Sequence, residues 1–121
     1  FQFDRGGQWI KGKSAPTFGP IGPFLVTTDE ISDPQNLNLS LKLNGITVQS
    51  SHTSDMIFPV SEIIAHLSQF MELRAGDIIA TGTPEGVGIG MKPPTFLKAG
   101  DDMELEIENL GSQKQKVVNF A

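Results

Sequence analysis

Residues 37–45 constrain the fold more than any other stretch. Leu37, Leu39, Leu41 and Leu43 alternate with Asn38, Ser40 and Lys42, and Asn44-Gly45 follows at once. A period of two sets all four leucines on one side of an extended strand, the side that needs cover. Asn-Gly suits a type I′ turn, whose two central residues both require positive φ. The chain must then double back, with Ile46 to Ser50 as the return strand.

The rest of the pattern is consistent with this start. Met103, Leu105 and Ile107 alternate with Glu104, Glu106 and Glu108, which predicts an antiparallel strand with a solvated acidic face. Leu110-Gly111-Ser112 reads as a turn, and Lys116 to Phe120 as a last strand. Phe24 to Thr27 is a short β-favouring run, and Asp29 to Gln35 a turn region. Val60, Ile63, Ile64, Leu67, Phe70 and Met71 follow helical spacing. Ser61 is the expected N-cap, and the helix should stop near Leu73, before the turn at Ala75-Gly76-Asp77. Ile78-Ile79-Ala80 reads as a short buried strand running into Thr81-Gly82-Thr83-Pro84. The opening, Phe1 to Pro23, carries prolines at 16, 20 and 23, which rule out a helix there, and it reads as a long ordered loop with short extended pieces. A loop of this length is uncommon unless it binds something. One principal helix among several strands, with no βαβ alternation, gives a mainly β (α+β) fold with long connections.

Composition bounds the function. The 121 residues are one domain's worth of chain. No Cys is present, which excludes disulfides, thiolate chemistry and cysteine zinc sites, and suits a cytoplasmic protein. Nine Lys and Arg against 14 Asp and Glu give a net charge of -5, without the basic footprint of a nucleic-acid binder. There is no run of about 18 apolar residues for a membrane span and no signal-peptide pattern. The sequence opens on Phe1 in mid-pattern, with Phe1, Gln2 and Phe3 alternating, and is read as a piece of a longer protein.

Several groupings carry chemical content. The loop with Gly82, Gly86, Gly88 and Gly90 lacks both the GxGxxG spacing and a following Gly-Lys-Ser/Thr, so a tight turn is the better reading than a phosphate cradle. His52 and His66 have no metal-ligand partner at a helical or hairpin spacing. His66 borders the helix's apolar stripe, while His52 fits either a site role or an ordinary polar loop. Glu104, Glu106 and Glu108 suit a solvated edge face better than a metal site. Lys11 and Lys13 in the proline-pinned loop, with Thr81 and Thr83 at a strand end, would suit a carboxylate or an enolate oxygen. Surface lysines and turn threonines are the plain alternative.

Those residues also carry a family resemblance. Gln2, then Gln8-Trp9-x-Lys11-Gly12-Lys13-Ser14, then Thr17-Phe18-Gly19-Pro20-Ile21-Gly22-Pro23, is followed by Asn44-Gly45 and by Gln49 through Thr53-x-x-Met56-Ile57-Phe58. Next come Gly76-Asp77-Ile78-Ile79-x-Thr81-Gly82-Thr83-Pro84-x-Gly86-Val87-Gly88 and then Gly100-Asp101. In this order, over nearly the whole chain, the sequence resembles the fumarylacetoacetate hydrolase family.

The resemblance implies rolled, barrel-like mixed β-sheets, a homodimer, and a Mg²⁺ or Mn²⁺ site acting on 2-oxo or 1,3-dicarbonyl carboxylic acids. It implies that the metal and nearby donors stabilise a developing enolate. Matched residue by residue, Gln2 lies beside the substrate, Lys13 is the active-site lysine, and Thr83 binds the substrate carboxylate. Many relatives have an Asp where this chain has Ala15-Pro16. The family's metal ligands, a Glu-x-Glu element and an Asp, precede the position of Gln2, and its His–Glu base pair lies earlier still. Residues 1–121 are therefore expected to be a partial catalytic domain, the substrate side of a site and inactive alone. The leading expectation is metal-dependent C–C hydrolysis of a 2,4-dioxo, acylpyruvate-like acid. An isomerase of a 2-hydroxyhepta-2,4-diene-1,7-dioate-type diacid, a ureidoglycolate lyase-type lyase, and a non-catalytic binding or assembly module are the alternatives.

Overall fold

The computed structural model describes residues 2–119. Its centre is the predicted hairpin. Strand β1 (Asn38–Leu43) turns through Asn44 (φ 51°) and Gly45 (φ 80°) into β2 (Ile46–His52). Strands β3 (Asp102–Ile107) and β4 (Gly111–Lys116) complete one antiparallel sheet in the order β2-β1-β3-β4. Leu39, Leu41 and Leu43 stand opposite Ile107, Leu105 and Met103, so both predicted alternations share one apolar face. The fold is mainly β with one principal helix, as expected. The sheet is open and wholly antiparallel, and does not close into a barrel among the described residues.

β3 is an inner strand, not the solvated edge expected of its glutamates. Opposite residues neutralise its polar face: Glu104 faces Lys42 and Lys114, and Asp102 faces Lys116. Glu104 pairs with Lys114, and its carboxyl is held below the usual range by that hydrogen bond and charge.

The hairpin departs from regular pairing at one place. Leu41 stands opposite Gln49 and Lys42 opposite Thr47, so Val48 is an extra residue, a β-bulge. Without it, Val48 would face Leu41 and Gln49 would face Ser40. The inserted residue moves Gln49 onto the leucine face, where it is 8% exposed.

Gly100-Asp101 locks the hairpin tip. The Asp101 carboxylate accepts from the Asn44 side-chain amide (3.0 Å) and the Lys98 N–H (2.9 Å), while the Asn44 amide oxygen accepts from the Asp102 N–H (2.9 Å). Asp101 is 5% exposed, and its carboxyl lies below its usual 3.8, first through the Asn44 bond and then through the Lys98 backbone. A carboxylate with a depressed folded pKa stabilises the fold when ionised. That contribution is complete above the usual value and is lost as pH falls through the depressed one. Asp101→Asn should therefore lower Tm at pH 7, and the gap to wild type should close as pH drops below 3.8 in a series of melts. A gap of constant size would exclude the ionised carboxylate as its source.

Other segments differ from expectation. A helix, α1 (Trp9–Lys13), occupies the opening stretch. The prolines restrict only their own neighbourhood, and α1 ends at Lys13, three residues before Pro16. Residues 2–7 form turns, and Phe1 lies outside the described residues. Helix α2 (Val60–Leu67) starts one residue before Ser61 and ends six before Leu73. Its cap residue is Pro59, and the Val60 N–H is taken by the Gln35 side-chain oxygen at 2.8 Å, so a serine cap is not needed. Beyond Leu67 the chain tightens, with Phe70 N–H on the Leu67 carbonyl. Ile78-Ile79-Ala80 and Phe24 to Thr27 form no regular element and join no ladder among the described residues. Ile78 is 69% exposed and Leu25 93%. The last turn comes earlier than predicted, with Asn109 at φ 62°, so β4 takes Gly111–Lys116. Phe120 lies outside the described residues. No described helix is long and apolar enough to cross a membrane.

Candidate functional site

A cavity of about 770 Å³ opens between the end of β2, the start of α2 and the segment Thr81–Glu85. That volume is in the range of small-molecule sites. Leu39, Ile107 and Ile63 give it apolar lining, and His52, Thr81 and Thr83 give it polar groups.

Local hydrogen bonds build each wall. Leu37 N–H donates to Thr53 Oγ1 (3.0 Å), and Thr53 N–H to the Leu37 carbonyl (2.9 Å). The Gln35 amide donates to the Thr53 carbonyl (2.8 Å). Thr53 thus ties the end of the hairpin to the start of β1. A short 3₁₀ turn (Thr53–Asp55) follows, capped by His52 at its head. His52 Nδ1 accepts from the Ser54 N–H (3.2 Å) and lies 2.7 Å from the Ser54 hydroxyl. Asp55 accepts from the Ser51 hydroxyl (3.0 Å) and the His52 N–H (3.2 Å).

The opposite wall is the glycine-rich loop. Gly86 has φ 98°, and a Cβ there would lie 2.0 Å from the Val48 carbonyl oxygen. At Gly88 a Cβ would lie 1.8 Å from the Thr95 carbonyl oxygen. These glycines let backbone meet backbone, and the 3₁₀ turn Gly88–Gly90 is too short to present a phosphate-binding terminus. The loop is pinned by Gln49, whose side-chain nitrogen lies 2.9 Å from Thr83 Oγ1, 3.0 Å from the Pro84 carbonyl and 3.1 Å from the Glu85 carbonyl.

The residues expected at the site fall into two groups. Thr83 lines the cavity beside Thr81 and His52. Gln2 and Lys13 belong to the α1 region and do not line it. Gln2 packs on Gly12, where a Cβ would meet its side chain at 2.9 Å. The Lys13 ammonium sits 5.9 Å from the centre of the Trp9 ring, and Lys11 donates to the Arg5 carbonyl at 2.7 Å. Gln49 was not among the residues expected to matter. Among the described residues no group of three or more His, Asp or Glu could hold a metal ion. Glu104, Glu106 and Glu108 form no such site; the Glu108 carboxylate is taken by the Asn38 N–H (3.0 Å) and side-chain amide (2.7 Å).

The family model described as fumarylacetoacetate (FAA) hydrolase C-terminal matches residues 1–118. The chain belongs to the fumarylacetoacetate hydrolase family. A protein of Burkholderia orbicola (strain MC0-3), provisionally named a hydrolase, is 54% identical over 120 residues, 98% of this chain and 43% of that protein. This chain therefore spans less than half the length of the curated relatives it matches. Similar folds of the same family include 2-hydroxyhepta-2,4-diene-1,7-dioate isomerase from Mycobacterium marinum. It is 39% identical with a TM-score of 0.83, over 97% of this chain and 42% of that one. Maleylpyruvate hydrolase from Sphingobium sp. SYK-6, solved with manganese(II) and pyruvate, is 39% identical with a TM-score of 0.76, over 84% and 36%. Fumarylacetoacetate hydrolase family members similar to this chain thus include both hydrolases and isomerases, and one of them binds a divalent metal.

Proposed function

We propose that this chain is part of a catalytic domain that hydrolyses a C–C bond in a 2,4-dioxo, acylpyruvate-like acid, and that it supplies the substrate-carboxylate side of the site. One observation carries the reading. Thr83, at the Thr-Gly-Thr-Pro turn, lines the large cavity with its hydroxyl fixed by a withdrawn amide. The pyruvate bound to the related maleylpyruvate hydrolase supports it, since pyruvate is the product such a cleavage leaves.

In that reaction the oxygen of water adds to the C4 carbonyl carbon and the C3–C4 bond breaks. The electron pair passes to C3, giving the enolate of pyruvate, which takes at C3 the proton that the water gives up. The other product is the carboxylic acid from C4. Thr83 holds the C1 carboxylate throughout; Lys13 and Gln2, which lie on the α1 region outside this cavity, are assigned to the enolate side on the resemblance alone. The described residues do not form a metal site, so no step is assigned to a metal here. Dependence of the complete protein on Mg²⁺ or Mn²⁺ is part of the proposal, supported by the manganese in the relative. So are a homodimeric state and a cytoplasmic location.

The test uses the complete protein and a set of acylpyruvates, following loss of the enol absorbance with and without a chelator. Turnover that a chelator abolishes and Mg²⁺ or Mn²⁺ restores is the expected result. Thr83→Val should raise KM about 10-fold, the worth of one charge-assisted hydrogen bond. A product of unchanged composition would favour the isomerase reading, which the Mycobacterium marinum relative supports. Absence of metal-dependent turnover of any 2,4-dioxo acid would favour a binding or assembly module.

A further inference from the structure

Gln49 is held in one orientation by chemistry alone. Its side-chain nitrogen faces two carbonyl oxygens, those of Pro84 and Glu85, at 3.0 and 3.1 Å. A reversed amide would set oxygen against oxygen at both places. The nitrogen end therefore points at the loop, and its third neighbour, Thr83 Oγ1 at 2.9 Å, must act as an acceptor towards it. Two N–H bonds serve three acceptors, so at least one of them is shared.

This fixes the behaviour of the Thr83 hydroxyl. A hydroxyl that accepts from an amide keeps its own proton for a different acceptor. Donation by Gln49 also polarises the O–H bond and strengthens its next hydrogen bond. We propose that Gln49 is a positioning residue that sets the Thr83 hydroxyl as a hydrogen-bond donor to a substrate carboxylate. The inference rests on the reading of Thr83 as a carboxylate-binding residue. The bulge at Val48 makes the contact available, since it brings Gln49 to the face from which the loop can be reached. Two backbone carbonyls of the same loop anchor the amide, so the orientation does not depend on Thr83 being present.

The experiment measures pyruvate affinity and Tm of the complete, metal-loaded protein for wild type, Gln49→Met, Thr83→Val, Thr83→Ser and the Gln49→Met/Thr83→Val pair. Gln49→Met should weaken pyruvate about 10-fold. In the Thr83→Val background it should weaken pyruvate no further, because the hydroxyl it acts through is gone. Thr83→Ser, which keeps the hydroxyl, should recover most of the affinity that Thr83→Val loses. A Gln49→Met variant with a lower Tm but wild-type affinity would make Gln49 a loop anchor only and overturn the inference while leaving Thr83 in its role. Losses that multiply in the double variant would also overturn it. An unchanged affinity in Thr83→Val would instead remove Thr83 from the carboxylate site, and the inference would fall with it. If Gln49→Met loses its cooperative melt, glutamine-selective ¹⁵N labelling carries the test. The Gln49 side-chain amide should then shift on pyruvate titration in wild type and not in Thr83→Val. No shift in wild type would count against the inference.

Discussion

Lys13→Met in the complete protein is expected to lower kcat/KM for an acylpyruvate about 100-fold or more, with Tm within about 3 °C of wild type. The separation follows from where Lys13 stands. It is exposed on α1, and among the described residues its ammonium meets the Trp9 ring at 5.9 Å and makes no ion pair. A cation over an exposed ring contributes about 0.5–1 kcal/mol, and methionine keeps most of the packing. Folding thus has little to lose. Under the proposed role, with the Lys13 ammonium facing an enolate oxygen, the reaction has much to lose, because a fixed positive charge there lowers the barrier directly. Steady-state kinetics and a thermal melt on the same preparation decide it. Parallel losses of activity and Tm would make Lys13 structural, and unchanged kinetics would remove it from the site.

The second large effect is on stability. Gly86→Ala should destabilise the fold by roughly 2–4 kcal/mol, combining forced overpacking with a backbone conformation that alanine disfavours. The new methyl would lie 2.0 Å from the Val48 carbonyl oxygen, at a residue with φ 98°. Backbone cannot rotate away as a side chain can, so either the loop or the bulge must move. Gly90→Ala is the control, since its nearest contact would be the Val87 side chain at 3.8 Å, an ordinary van der Waals distance. It should leave stability within about 0.5 kcal/mol. Denaturant unfolding of the two variants beside wild type is the measurement. Equal tolerance would refute the close approach of loop and strand.

The local parts of this fold were open to reading, and the non-local parts were not. Leu39 to Gly45 announced the hairpin because alternation and turn chemistry are properties of neighbouring residues. Met103 to Ile107 announced β3 for the same reason. Its position between β1 and β4 depends on pairings across some sixty residues, which no local pattern carries. Ile78 to Ala80 has the composition of a buried strand, yet burial needs a partner, and none of the described strands pairs with it. Thr83 was legible twice over, as a small polar residue at a strand end and in the Thr-Gly-Thr-Pro motif, and it lines the cavity. Gln49 was hidden by parity. Regular pairing from Asn44-Gly45 sends Val48 inward and Gln49 outward, and one inserted residue brings Gln49 inward instead. Gln49 opens one of the motifs that carry the resemblance, but neither that motif nor the glycine at 86 says which loop its side chain would meet.

Gln49 and Gln113 stand on the same face of the sheet, on its two outermost strands. Gln49 donates to the carbonyls of Pro84 and Glu85, and Gln113 to the carbonyl of Gly22. Each long loop is thus moored to the sheet through its main chain. A mooring of that kind is indifferent to the side chains the loop displays. Residues facing the cavity can be exchanged one at a time while the loop stays where it is, so the scaffold can acquire a new substrate preference without first relearning how to fold.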